Sequence, residues 1–125
     1  MNRITYFFLR LPIAISLLGH GLVRMPKLKG FAEWMATSME KSFLPGAFIK
    51  TFGFALPFFE ALIGLWILLG FQTKYSLYAG LTLMSILILG SASVENWGAI
   101  QTQLVHAIYL FGLLWYSEIK TQKHE

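Results

Sequence analysis

The chain has 125 residues, of which 56% are hydrophobic and 13% charged, and its mean hydropathy is +0.60. This composition is too apolar for an ordinary soluble domain and predicts one integral membrane domain, residues 1–125, that contacts the lipid bilayer. The chain has no cysteine, which excludes disulfides and thiolate chemistry of its own. The net charge of +4 suits anionic headgroups, whereas the scattered basic residues offer no patch for nucleic acid.

The first apolar segment, about residues 4–24, begins after Arg3. This pattern is also typical of a cleaved signal, but no small-x-small cleavage site follows, so a retained helix is predicted. Pro26 disfavours helical geometry at Met25 and predicts that the helix ends there. Arg10 has two interpretations: its guanidinium lies roughly 9 Å deep and reaches toward a buried acid, or it extends to the lipid headgroups.

An amphipathic segment, about residues 30–42, separates the first two apolar segments. Its apolar positions share one helical face and its polar positions share the other: Phe31, Trp34, Met35 and Met39 against Glu33, Thr37, Glu40 and Lys41. This pattern predicts an interfacial helix lying on the membrane. The alternative is a lid over the bundle or a docking surface for a partner.

The second apolar segment, about residues 52–70, contains a single acid, Glu60. A carboxylate at membrane depth costs several kcal/mol unless it is protonated, paired or wetted, which marks Glu60 as a functional-site hypothesis. Helical spacing places Gly53, Pro57, Glu60 and Gly64 on one stripe. Because small residues allow close helix packing in membranes, this stripe should face a neighbouring helix. The opposite, lipid-facing side carries Phe54, Phe58, Leu62, Leu65 and Leu69.

Two further apolar segments, about residues 75–94 and 98–117, complete the predicted fold. The last one carries a polar stripe that should point inward: Thr102, Gln103, His106 and Tyr109. The predicted fold is all-α, a four-transmembrane-helix bundle with a short interfacial helix between the first and second spans. The two membrane faces carry equal numbers of basic residues, so the positive-inside rule predicts no orientation of the protein in the membrane.

The polar residues inside the spans form a candidate intramembrane site. The segment between the first and second spans is called the connector. Measured by helical rise from the membrane face on the connector side, His20, His106 and Glu60 lie roughly 6, 10 and 13 Å deep, so three helices present them at similar levels. The predicted site comprises Glu60, Arg10, His20, His106, Tyr109 and Gln103. The alternative is a structural network, in which Glu60 pairs with Arg10 or accepts hydrogen bonds from histidine and tyrosine groups.

Several sequence blocks together resemble the DoxX family. They are an arginine in the first span, GHGLVRM at its end, LPG in the connector, PFFEALIGLWILLGFQTK across the second span, and an NW loop. The family's basic positions correspond to Arg24 and Lys74. The resemblance implies four membrane helices in a bacterial-type cytoplasmic (inner) membrane with both termini cytoplasmic. It also implies a role beside thiosulfate:quinone oxidoreduction or in complexes that handle oxidative stress.

The predicted function is a small membrane subunit or accessory of a quinone-linked or oxidative-stress-related oxidoreductase, rather than a stand-alone enzyme. A quinone site needs a lipid-accessible apolar pocket with proton donors, which His20 or His106 with Glu60 provide. The chain lacks cluster cysteines, a Gly-rich dinucleotide fingerprint and a CxxCH haem attachment, so redox work requires a partner enzyme. A noncovalent haem is disfavoured, and no metal site is predicted. The alternatives are a noncatalytic scaffold or assembly factor and a small proton-coupled carrier.

Overall fold

The computed structural model describes the backbone of residues 3–123 and the side chains of residues 3–119. The predicted domain also includes Met1, Asn2, His124 and Glu125, which lie outside the described residues. Within the described range the chain is 89% helical and has no strand, so the all-α prediction is confirmed. The helices are α1 (Arg3–Arg24), α2 (Leu28–Ser38), α3 (Gly46–Leu69), α4 (Thr73–Ser93) and α5 (Trp97–Lys123), and a single 3-10 turn, Met25–Lys27, joins the first two.

Short connections make consecutive long helices antiparallel. Helix α3 ends at Gly70, which adopts the left-handed conformation (φ 78°) that glycine tolerates best, and α4 begins three residues later. The connection between α4 and α5 is equally short. An ion pair between Lys74 and Glu118 joins the start of α4 to the end of α5. These two helices therefore lie side by side along their length.

The closest helix packing in the molecule is between α1 and α3. A Cβ atom added at Gly21 would lie 2.6 Å from the backbone nitrogen of Ala61, and one added at Gly64 would lie 2.5 Å from that of Leu18. Both distances are too short for a real contact, so each glycine lets the facing backbone approach. Glycine at these two positions therefore sets the spacing of the pair.

Helix α2 packs along the first half of α3 rather than standing apart from the bundle. Ala32 is fully buried and lies against Gly53, where an added Cβ would be 3.0 Å from the Ala32 Cα. Met35 is also buried, while Glu33 and Thr37 on the opposite face are exposed. The amphipathic pattern thus places Met35 against the protein, whereas Trp34 from the same predicted face is 60% exposed.

Three helical stretches are long and apolar enough to cross a membrane, judged by length and composition: Arg3–Ser38, Gly46–Leu69 and Thr73–Ser93. Helix α5 is long enough, but the polar residues Gln101, Thr102, Gln103 and His106 lower the hydropathy of its first half. The chain is thus compatible with a membrane protein, and the predicted fourth span is not confirmed.

The two faces predicted for the second span agree with the structure. The small and polar stripe, Gly53, Pro57, Glu60 and Gly64, is buried against α1 and α2. The residues predicted to face lipid are all exposed: Phe54, Phe58, Leu62, Leu65 and Leu69. The sequence pattern therefore identified the side of α3 that meets the rest of the protein.

We predict that Gly21→Ala destabilises the protein by about 1–3 kcal/mol, because the added methyl group must push the backbones of α1 and α3 apart. Gly19→Ala is the matched control on the same helix, since nothing lies within 4 Å of its Cβ position. Alanine is also about 1 kcal/mol better than glycine in a helix, so Gly19→Ala should be neutral or stabilising. Chemical unfolding in detergent, followed by circular dichroism, measures both; equal effects would contradict the packing.

Candidate functional site

An ion pair connects the end of α1 to the middle of α3. Nη1 of Arg24 donates to Oε2 of Glu60 at 3.1 Å and lies 3.4 Å from Oε1. The carboxylate side chain is 6% exposed and that of the arginine 31%. Removing such a carboxylate from water is costly, and the adjacent guanidinium offsets part of that cost.

The guanidinium of Arg24 also contacts the amphipathic helix. Its Cζ lies 4.5 Å from the ring centroid of Phe31 in α2, a cation–π geometry. The side chain of Arg24, a residue of α1, thus contacts both α2 and α3. The position of α2 is thereby linked to that of the buried acid.

Two histidines from different helices stand beside this pair. The rings of His20 (α1) and His106 (α5) meet edge to face with centroids 5.7 Å apart. Both rings line the same cavity as Glu60. The predicted convergence of three helices on one polar site is therefore present in the structure.

Backbone carbonyls fix the tautomer of each neutral imidazole. Nδ1 of His20 lies 2.6 Å from the carbonyl oxygen of Ser16, and Nδ1 of His106 lies 2.9 Å from that of Thr102. A carbonyl only accepts, so each Nδ1 carries a proton, and in a neutral ring Nε2 is the acceptor. Nε2 of His106 accepts from the Ser16 hydroxyl at 2.9 Å. Nε2 of His20 has no hydrogen-bond partner among the described residues.

A cavity of about 710 Å³ lies at the connector side of the bundle, between the α1–α2–α3 group and the α4–α5 pair. Its polar wall contains Arg24, Glu60, His20, His106 and Gln103. Most of the remaining wall is apolar and comes from α2, α3 and α4. The outer part is lined by exposed apolar side chains, Phe48, Ile86 and Leu89. Exposed polar residues, Ser38, Asn96 and Thr102, also line it, so the cavity is amphipathic with a mixed rim.

Gln103 belongs to the polar wall and has unused bonding capacity. Its Nε2 donates to the hydroxyl of Ser91 at 3.0 Å, which links α5 to α4. Its Oε1 is buried without a hydrogen-bond partner among the described residues. A buried amide oxygen without a partner is costly, so this atom is available to a bound donor.

Arg10 occupies a different part of the molecule. Its Nε donates to the carbonyl oxygen of Ile67 at 3.0 Å, in the last turn of α3, and its Cζ lies 4.9 Å from the Tyr6 ring centroid. A cation at a helix C-terminus interacts favourably with the free carbonyls. Because Arg10 is only 8% exposed and pairs with backbone, the structure supports neither contact with Glu60 nor extension to headgroups.

Tyr109 also lies outside the main cavity. Its hydroxyl donates to the carbonyl oxygen of Leu9 at 2.7 Å, three residues before Pro12 in α1. It lines a smaller cavity of about 190 Å³ between α1 and α5, which includes His106. Tyr109 therefore joins α1 to α5 and does not reach the ion pair.

The partner of Glu60 was missed by sequence reasoning. Arg24 lies four residues after His20 on a helix, so the spacing placed both on one face of α1. The signal was present in the GHGLVRM block, but position 24 was interpreted only as the basic end of a span. A long arginine side chain reaches back along its helix, which brings the guanidinium to the level of the acid.

We predict strong coupling between Arg24 and Glu60 in a double-mutant cycle. Arg24→Ala leaves a buried carboxylate without its partner and should cost about 3–5 kcal/mol. Adding Glu60→Ala should then cost little, because the charge has been removed. Unfolding free energies of both single variants and the double variant measure the coupling.

Arg10→Ala with Glu60→Ala is the control cycle. Since Arg10 bonds to Ile67 and not to Glu60, the two losses should add within about 0.5 kcal/mol. Coupling in this second cycle, or additivity in the first, would contradict the observed pairing.

Comparisons with known proteins assign no role to this site. No family model, curated protein or solved structure matches the chain. The DoxX resemblance of the sequence blocks stays a prediction.

Proposed function

We propose that the protein is a four-span membrane protein of DoxX type, whose cavity binds a lipid-soluble ligand with a polar head. Three helices are long and apolar enough to span a membrane. Helix α5 packs antiparallel along α4, and the Lys74–Glu118 pair joins their ends. If α4 crosses the membrane, its antiparallel neighbour crosses with it. A bacterial-type inner membrane and cytoplasmic termini are part of this proposal.

The observation that carries the proposed function is the amphipathic cavity. Ligand sites are usually clefts of about 300–1,000 Å³ with apolar walls and a few convergent polar groups. This cavity has that size, and its polar wall combines a part-buried ion pair with two imidazoles. Its opening carries Phe48 and Leu89, which face the lipid in the proposed arrangement. A ligand dissolved in the bilayer can therefore enter the cavity through this opening, with both its apolar tail and its polar head.

A quinone is the ligand class that fits the sequence resemblance and this cavity together. Its ring carbonyls need hydrogen-bond donors, and the guanidinium of Arg24 is within the cavity wall. The chain has no sequence motif for an electron carrier, so a partner enzyme supplies or receives the electrons. The protein then acts as an accessory subunit of a quinone-linked or oxidative-stress-related oxidoreductase.

The four-span arrangement predicts which sites a membrane-impermeant maleimide reaches in intact cells. The chain has no cysteine, so in each single-cysteine variant all labelling comes from the introduced residue. Trp97→Cys should be labelled in intact cells, whereas Phe71→Cys and Glu118→Cys should be labelled only after lysis. If Glu118→Cys is labelled together with Trp97→Cys, α5 does not cross and the four-span proposal is wrong.

Quinone binding predicts quenching of tryptophan fluorescence by decylubiquinone in detergent. Trp34 lines the cavity, whereas Trp115 does not. Quenching should saturate, should be largely lost in Trp34→Phe, and should persist in Trp115→Phe. The neutral double variant Arg24→Leu/Glu60→Leu should bind about tenfold more weakly, because it lacks the polar end of the cavity.

Quenching that rises linearly with quinone and does not depend on Trp34 would show partition into the micelle and contradict the site. The accessory role is tested by what co-purifies in mild detergent. A redox enzyme in fixed stoichiometry supports it. A varied set of immature proteins instead supports the alternative of an assembly factor.

A further inference from the structure

The amide of Gln103 in α5 has one end paired and one end free. Its Nε2 lies 3.0 Å from the hydroxyl oxygen of Ser91 in α4, whereas its Oε1 is buried without a hydrogen-bond partner among the described residues. A buried amide end without a partner costs free energy, which a ligand recovers when it supplies the missing bond. Gln103 lines the cavity, so a ligand bound there is the natural source of that bond.

The hydroxyl of Ser91 is compatible with both orientations of this amide, because a hydroxyl can donate as well as accept. When Nε2 donates to Ser91, the free end of the amide is the acceptor Oε1. After half a turn of the amide, Ser91 donates to Oε1 and the free end is the donor Nε2. The terminal torsion of glutamine is broad, so the amide can make this turn and adjust toward a bound ring.

The ion pair in the same wall has no such freedom. A guanidinium only donates and an ionised carboxylate only accepts, and Arg24 and Glu60 are held together at 3.1 Å. An amide carries a donor and an acceptor on one carbon atom, so rotation exchanges them. Gln103 is the cavity-lining residue of the described chain that combines this property with a buried, unpaired end.

The two redox forms of a quinone require different partners at the same oxygen atom. A quinone carbonyl only accepts, whereas the hydroxyl that forms after addition of two electrons and two protons also donates. We propose that Gln103 binds the head group of both forms, donating through Nε2 to the quinone and accepting through Oε1 from the quinol. This rests on the proposed quinone-binding cavity. It identifies the residue that holds the ligand while the partner enzyme changes its redox state.

Calorimetric titration in detergent tests this pairing with three ligands that have the same tail. They are decylubiquinone, decylubiquinol under anaerobic conditions, and decylbenzene, which has no hydrogen-bonding group. Gln103→Leu should weaken the binding of both the quinone and the quinol by about tenfold, because each loses one hydrogen bond. The affinity of this variant for decylbenzene should stay unchanged and so report an intact cavity.

Gln101→Leu is the matched control. It makes the same substitution two residues earlier in α5, at an exposed position that does not line the cavity. All three affinities should equal those of the unaltered protein. Gln103→Met is a second test variant, with a flexible apolar side chain that adapts to its surroundings, and it should show the same two losses as Gln103→Leu.

The outcomes separate this inference from the function on which it rests. A loss confined to one redox form would overturn the two-way pairing, and unchanged affinities in Gln103→Leu would overturn any bond to Gln103. Both results leave the cavity as a quinone site. Loss of decylbenzene binding in both Gln103 variants would show a structural role and also overturn the pairing. If the unaltered protein binds neither quinone nor quinol saturably, the proposed function and this inference are both wrong.

Discussion

The structure depends on the pairing of Arg24 with Glu60. A carboxylate in the middle of an apolar helix is stable only when its charge is compensated or removed. The compensating cation comes from the end of α1 and lies 3.1 Å away. The glycine contacts between α1 and α3 hold the two backbones close enough for this pairing. The same guanidinium lies on Phe31, so α2 is positioned by the interaction that stabilises the acid.

The cavity follows from how the helices are grouped. Helices α1, α2 and α3 pack together, and α4 packs mainly on α5, while few contacts join α1 to α5. At the end away from the connector, the Tyr109 hydroxyl and the stacked rings of Tyr6 and Tyr116 join α1 to α5. At the connector side the groups separate, and the polar residues of α1, α3 and α5 become the inner wall of the space between them. Glu60 and His106 thus combine a structural role with a place in the cavity wall.

Sequence reasoning predicted the helical class, the buried face of α3 and the similar depth of Glu60, His20 and His106. These features follow from periodicity and from the depth of a residue along its helix, which the sequence encodes directly. The partner of the acid does not follow in this way. The depth of Arg10 along α1 made it a candidate partner of Glu60, but Arg10 caps the end of α3. Which of Arg10 and Arg24 pairs with Glu60 depends on the direction of each side chain. The lining of the cavity by α2 depends likewise on tertiary packing.

Contact between Arg24 and Glu60 within the helical bundle can be measured in reconstituted protein. Solid-state NMR with ¹⁵N-labelled arginine and ¹³C-labelled glutamate carboxyl groups measures it directly through dipolar dephasing. We expect a short nitrogen–carbon contact that disappears in Arg24→Lys and remains in Arg10→Lys. A contact that disappears in Arg10→Lys, or no contact in the unaltered protein, would contradict it.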